Sequence, residues 1–174
     1  MKPGQKFRNA LKNNKPLIIP GTINAYSAKL AEIANHNSIY LSGSGVAAAS
    51  YGLPDLGVTT LENVLIDAKR ITSATSLPLL VDIDTGWGDF DAISNTIIEM
   101  GNANVAAVHI EDQIFDKRCG HRPNKQLVSI DEMQDRLKAA LDAKIDDSFF
   151  IMARTDALAS EGIEKAIERC GKYL

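Results

Sequence analysis

Short apolar runs, each closed by a turn residue or a polar group, recur along the chain at residues 16–22, 38–42, 79–84, 105–112 and 149–153. Runs of this length between turn signals read as buried strands. The segments between them carry apolar residues at helical spacing instead. Residues 25–35 place Leu30, Ala31, Ile33 and Ala34 on one side, and residues 130–144 do the same with Met133, Leu137, Ala140 and Leu141. Further helices are expected at about 4–13, from a cap at Thr59 or Thr60 to just before Leu77-Pro78, at 90–100 and at 160–174. Ser129 is the expected N-cap of the helix at 130–144, and Glu62 belongs to the first turn after Thr60. Gly43-Ser44-Gly45 is expected as a turn leading into a long loop through 51–57.

Regular strand–helix alternation argues for parallel strands joined by helical crossovers. Each strand also ends in polar residues: Thr22, Ser42, Asp82 with Asp84, Glu111 with Asp112, and Arg154 with Asp156. A doubly wound sheet gathers its ligand at one switch point, whereas a (β/α)8 barrel draws chemistry from the ends of successive strands. The predicted fold is therefore α/β, a (β/α)8 TIM-type barrel. Since eight units take about 250 residues, residues 1–174 are expected to form a single partial-barrel domain with about the first five strand-helix units. Residues two apart share a strand face. Tyr40 and Ser42, Asp82 and Asp84, His109 and Glu111, and Arg154 and Asp156 should thus converge on one mouth, with Ile39, Leu41, Val81, Ile83, Val108 and Ile110 turned towards the helices.

Composition narrows the partners more than the fold. With 45% hydrophobic and 24% charged residues, the chain can build an ordinary globular core. A net charge of -3 gives no basic excess to track a nucleic-acid backbone. No apolar run nears the roughly 20 residues that span a bilayer. No nucleic acid and no membrane is expected as a partner, and the lack of a signal-type apolar block near Met1 suggests a cytoplasmic location. Cys119 and Cys170 lie far apart and imply neither a disulfide framework nor a zinc site. Cys170, late in a helical segment, is expected to pack.

The densest chemistry is Lys117-Arg118-Cys119-Gly120-His121-Arg122-Pro123-Asn124-Lys125, directly after the fourth apolar run. Positive charge beside a thiol favours thiolate, and such a cysteine can serve as acid, base or nucleophile. An exposed inert thiol is the plain alternative. Asp82 and Asp84, with Glu111 on the next strand, make an oxygen-rich set suited to a hard cation, Mg2+ or else Mn2+; turn capping is their plain alternative. Ser42-Gly43-Ser44-Gly45 could cradle a carboxylate or phosphate with backbone N–H groups. Arg154 matches a carboxylate bidentately, unless a salt bridge with Asp156 or Glu111 occupies it. His109 reads equally well as an interior or a functional histidine, and His36 as a helix-end residue. Together these features suit a small polycarboxylate substrate and an enolate-type intermediate.

The loop at 117–125 resembles the signature loop of the isocitrate lyase and phosphoenolpyruvate mutase superfamily, and Arg122-Pro123-Asn124-Lys125 resembles the members that cleave 2-methylisocitrate. The likeness extends through residues 20–25, 40–43, 52–57, 77–82, 109–113 and 151–157. It implies a Mg2+-assisted retro-aldol cleavage of 2-methylisocitrate to pyruvate and succinate, in the methylcitrate route of propionate breakdown. Cleavage of isocitrate or dimethylmalate is the alternative within the superfamily, and a non-catalytic partial barrel with a structural or interaction role is the alternative outside it. By the same resemblance, Asp82 and Asp84 hold the metal with Asp55 and Glu111 in support. Ser42, Gly43 and Ser44 hold the pyruvate-like end, Arg154 binds a substrate carboxylate, and Cys119 and Gly120 contact substrate from a catalytic loop that includes Lys117 and His121. Tyr40 is expected to take the hydroxyl proton and Cys119 to protonate the succinate carbanion. Ser44 stands where relatives usually have a third glycine. Relatives continue through further strands and a helical region exchanged between subunits. The resemblance therefore implies a homo-oligomer, a tetramer, and the 174-residue chain alone is expected to be inactive.

Overall fold

Four strands lie side by side in sequence order as one parallel sheet: β1 (Ile39–Leu41), β2 (Leu79–Asp82), β3 (Ala107–Glu111) and β4 (Phe150–Arg154). The structure is a computed structural model that describes residues 1–115, 117–120 and 122–174. Helix α1 (Pro3–Asn13) and α2 (Ala25–Ile33) precede the sheet. The crossovers run through α3 (Gly43–Tyr51) and α4 (Leu61–Ala74), then α5 (Phe90–Asn102), then α6 (Ile130–Asp142), and α7 (Leu158–Glu161) and α8 (Ile163–Tyr173) follow β4.

The helices start where short polar side chains can satisfy free N–H groups. Thr60 Oγ1 accepts from the Asn63 N–H at 3.4 Å while Asn63 Oδ1 accepts from the Thr60 N–H at 3.0 Å. Ser129 Oγ accepts from Glu132 at 3.1 Å. Ser42 does the same for Gly45 at 3.3 Å, so Gly43-Ser44-Gly45 is the first turn of α3 rather than a free turn. The single helix expected at 160–174 is two, divided by Gly162 at φ 87°, a backbone angle that an L side chain rarely adopts.

The expected first strand at 16–22 is not a strand. It touches β1 through one bridge, where the Tyr40 N–H donates to Pro20 O at 3.0 Å and the Thr22 N–H donates to Tyr40 O at 2.7 Å. Pro16 and Pro20 bring no N–H to a ladder. The described residues thus carry four strands, with a fifth reduced to that bridge.

Alternation along the strands separates two cores. Ile39, Leu41, Val81, Ile83, Val108 and Ile110 are buried against the crossover helices. On the other face Leu80, Ala106 and Ala107 pack with Phe7 of α1, flanked by Tyr40, Phe150 and Met152. Phe7 meets Phe150 at 5.5 Å between ring centroids, which places α1 beneath the start of β4. The same face is apolar at its lower end and carries Asp82, His109, Glu111 and Arg154 at its upper end. β2 and β3 are buried throughout, whereas β4 at the sheet edge is half-exposed. Cys170, expected to pack, is exposed on α8.

Candidate active site

The upper ends of β2 and β3 bring Asp82, Asp84 and Glu111 together, all buried, with one carboxylate oxygen of each within 4.8 Å of the others. The two aspartates arrive by different routes. Asp82 closes β2, but Asp84 has turned into the left-handed region at φ 48° while its carbonyl still accepts the Glu111 N–H at 2.9 Å. Its own N–H donates to Asp82 Oδ1 at 3.1 Å. The turn, as well as strand alternation, therefore places both carboxylates at the same mouth.

Buried carboxylates this close resist full ionisation. Burial, together with the Asp82 charge, pushes Asp84 up to about 6. Burial pushes Glu111 up to about 8 against the pull of Arg154. Two cations answer this charge. Lys117 Nζ lies 2.7 Å from Asp84 Oδ1 and 2.5 Å from Asp55 Oδ1, and Arg154 Nη1 lies 2.9 Å from Glu111 Oε2. Burial alone would lower the pKa of both; the surrounding carboxylates raise it instead. Burial likewise opposes ionisation of Asp55, yet Lys117, with a contribution from the Cys119 thiol, holds it below the ordinary range.

Lys117 donates to Asp55, but its pair with Asp84 and the pair of Arg154 with Glu111 are close without a hydrogen bond: among the described residues, Asp84 Oδ1 and Glu111 Oε2 have no hydrogen-bond partner. An all-oxygen donor set with two orphaned buried oxygens fits a hard divalent cation of the Mg2+ kind. Asp82, Asp84 and Glu111 would hold it.

Beside the carboxylates, the Tyr40 hydroxyl lies 3.3 Å from Asp82 Oδ2 and 3.0 Å from His109 Nε2, with the two rings stacked at 5.6 Å. His109 Nδ1 is 3.6 Å from Asp82 Oδ1. Burial, reinforced by Asp82, pushes the phenol above its ordinary range, and burial pushes the imidazole below 6.5. At neutral pH the phenol is protonated and the imidazole uncharged. From the other side the first turn of α3 faces in: the Gly43 N–H donates to Asp82 Oδ2 at 3.3 Å, and the Ser42 and Ser44 hydroxyls pair at 2.9 Å. A helix N-terminus of this kind favours an anion.

Lys117 and Gly120 of the loop at 117–125 sit across this mouth. Gly120 rests on Arg154 so closely that a Cβ there would collide with the guanidinium. Arg154 in turn grips Asp156, with Nε to Oδ1 and Nη2 to Oδ2 both at 3.1 Å. Arg154 is thus both a strand-end guanidinium and the salt-bridge partner of Glu111 and Asp156. Cys119 is partly buried and lines a cavity of about 480 Å³ with Pro54, Asp55 and Leu56. Lys117, expected to bathe the thiol in positive charge, turns inward to the carboxylates instead. His121 lies outside the described residues.

Two participants received no role from the sequence, Asp112 being read only as a polar strand end and Gln113 only within the likeness at 109–113. Gln113 is buried among the loop, Glu111 and Asp156. Asp112 accepts from Thr155 Oγ1 at 2.6 Å, from the Asp156 N–H at 2.9 Å and from the Tyr173 hydroxyl at 2.8 Å, fixing the exit of β4. Apart from the Gln113–Glu111 contact, these contacts join residues more than forty positions apart or reach into the loop, so local sequence does not announce the roles.

A parallel strand-and-helix sheet with carboxylates at adjacent strand ends, a helix N-terminus and a cysteine loop over one mouth defines an α/β protein of the (β/α)-barrel class. The chain belongs to the phosphoenolpyruvate phosphomutase family, whose model matches residues 7–174. It is similar to a 2-methylisocitrate lyase of Shewanella oneidensis, with 63% identity over 171 residues that cover 98% of this chain and 59% of that protein. The crystal structure of 2,3-dimethylmalate lyase superposes with a TM-score of 0.92 at 35% identity, covering 99% of this chain and 59% of the other. Phosphonopyruvate hydrolase in complex with oxalate and Mg2+ gives 0.85 at 32% identity over 99% and 59%. The chain therefore spans 59% of the length of each of these proteins. The barrel expectation holds, with four strands in place of five.

Proposed function

We propose that this chain provides the metal site and catalytic loop of a 2-methylisocitrate lyase, which cleaves 2-methylisocitrate to pyruvate and succinate in propionate catabolism. The observation that carries the chemistry is the buried Asp82–Asp84–Glu111 cluster beneath a cysteine loop that rests on Arg154. The choice of substrate is supported by the name of the Shewanella oneidensis relative at 63% identity. A Mg2+ ion at the cluster, supported by the complex named for phosphonopyruvate hydrolase, would supply positive charge for an enolate-type oxygen.

The chain's own residues divide the remaining work. The first turn of α3, with Ser42, Gly43 and Ser44, holds the pyruvate-like carboxylate, and Arg154 holds another. Asp55 orients Lys117 against Asp84. Tyr40 takes the substrate hydroxyl proton, and His109 Nε2, 3.0 Å away, is placed to receive the phenol's own proton. The carbon–oxygen bond becomes the ketone of pyruvate as the adjacent carbon–carbon bond breaks. Its electron pair goes to the carbon next to the succinate carboxylate, where the Cys119 thiol delivers a proton. One proton leaves the hydroxyl and one arrives from the thiol, so the reaction balances. Gly120 keeps the loop close to Arg154, and His121 belongs to the same catalytic loop by sequence. Cytoplasmic location and assembly as a homo-oligomer, a tetramer, belong to the same reading.

The test is a coupled assay of the full-length gene product, measuring pyruvate release from 2-methylisocitrate and glyoxylate release from isocitrate, with and without Mg2+. We expect Mg2+-dependent pyruvate release to dominate. A preference for isocitrate would overturn the substrate, and full activity after chelation would overturn the metal.

A further inference from the structure

Gln113 lies two residues beyond Glu111, the last residue of β3, and only 1% of it is exposed. Its backbone pairs with Leu127 in an antiparallel bridge, and Arg136 Nη1 donates to its carbonyl at 2.8 Å. Next to the bridge the Ile114 N–H donates to Gln126 O at 3.0 Å. The excursion that carries Cys119 therefore leaves and returns through one narrow neck.

The Gln113 side chain reaches from this neck into the excursion. Its Oε1 accepts the Arg118 N–H at 2.9 Å while its Nε2 lies 2.9 Å from Arg118 O, so the amide holds both backbone groups of the residue before Cys119. The same Nε2 lies 2.9 Å from Glu111 Oε1 and 2.7 Å from Asp156 Oδ2. A primary amide has two hydrogens, and here three oxygens compete for them. One carboxylate belongs to the metal-type cluster and the other to the Arg154 clamp. No other uncharged side chain among the described residues joins the loop to both strand ends.

We propose that Gln113 is a positioning residue that fixes Arg118, and through it Cys119, relative to the carboxylates at the ends of β3 and β4. The inference rests on the reading of Cys119 as the proton donor of this site. The demands on position 113 are specific. A glutamate there has almost the same shape and can still accept the Arg118 N–H, but it lacks the amide's two donors and sets a third carboxyl group against Glu111 and Asp156. A methionine fills the same space with no hydrogen bonds.

The experiment compares Gln113→Glu and Gln113→Met with the wild type in the full-length protein, with two readouts. Limited trypsin digestion reports the loop: cleavage after Arg118 should accelerate about tenfold or more in Gln113→Met, which loses both hydrogen bonds to Arg118, and by less in Gln113→Glu, which keeps the acceptor, while cleavage after Lys138 stays unchanged. General destabilisation would accelerate both sites together and would overturn the proposal. Steady-state kinetics report the consequence: kcat on 2-methylisocitrate should fall about a hundredfold with a much smaller, few-fold rise in KM, because the proton donor is displaced while the α3 turn and Arg154 still bind substrate. Wild-type cleavage after Arg118 in the variants, or a released loop with unchanged kcat, would also overturn it. Should the glutamate variant fail to fold, the methionine variant carries both readouts. If the wild type itself fails to turn over 2-methylisocitrate, the proposed function falls, while the digestion still decides whether Gln113 holds the loop.

Discussion

Cys119 gains its meaning from neighbours that the sequence does not set beside it. Composition surrounds it with Lys117, Arg118 and Arg122, yet the folded chain spends Lys117 on Asp55 and Asp84. The thiol faces a cavity shared with Pro54, Asp55 and Leu56. On the proposed reading, replacing Cys119 by Ser in the full-length protein should lower kcat by about 10²- to 10⁴-fold, the usual span for a lost acid–base group. Binding of substrate, followed by calorimetry, should remain within a few-fold of wild type. An unchanged rate would remove the proton-donor role. At this scale the carboxylates were legible, because acids at the ends of apolar runs stand out. The inward turn of Lys117 was not, because it depends on where the loop's first residue meets two other segments.

Among the elements, α1 shows how a lead-in helix becomes part of the barrel-type interior. Its Phe7 is fully buried on the inner face of the sheet and packs on Phe150. Gly4 lies against the Ser148 backbone, and Arg8 sits over the Phe150 ring at 4.9 Å. Phe7→Ala should destabilise the fold by about 3–5 kcal/mol, from lost burial and the cavity left behind. Chemical denaturation would measure this; a change below about 1 kcal/mol would mean that α1 is not a fixed floor to the sheet. The caps at Thr60 and Ser129 and the alternating faces of the strands follow from local pattern, and they hold in the structure. The strand expected at 16–22 fails for a reason that is also local in part: two prolines remove donors from the ladder. Its remaining bridge to Tyr40 depends on where β1 lies.

For the whole molecule, the sheet has one half-exposed edge at β4, and Ile163 and Ile167 stand exposed one turn apart on α8. Apolar side chains at this spacing form a continuous stripe, and an open strand edge is a template for pairing. A polypeptide of these 174 residues should therefore self-associate as its concentration rises in sedimentation velocity. Ile167→Glu should weaken that association, and a monodisperse monomer at every concentration would contradict it.

The sequence by itself determined the alternation of strand and helix, the apolar face given to the helices, the polar strand ends and the motif after the fourth run. Each follows from periodicity or from residue type at a local boundary. Only the tertiary structure decided which groups meet. It set the orphaned oxygens of Asp84 and Glu111 together, placed Tyr40 against His109, laid Gly120 on Arg154 and aimed Gln113 between loop and sheet. Those relations join residues far apart in the chain, and they exist only once the parallel register brings the strand ends to the same level.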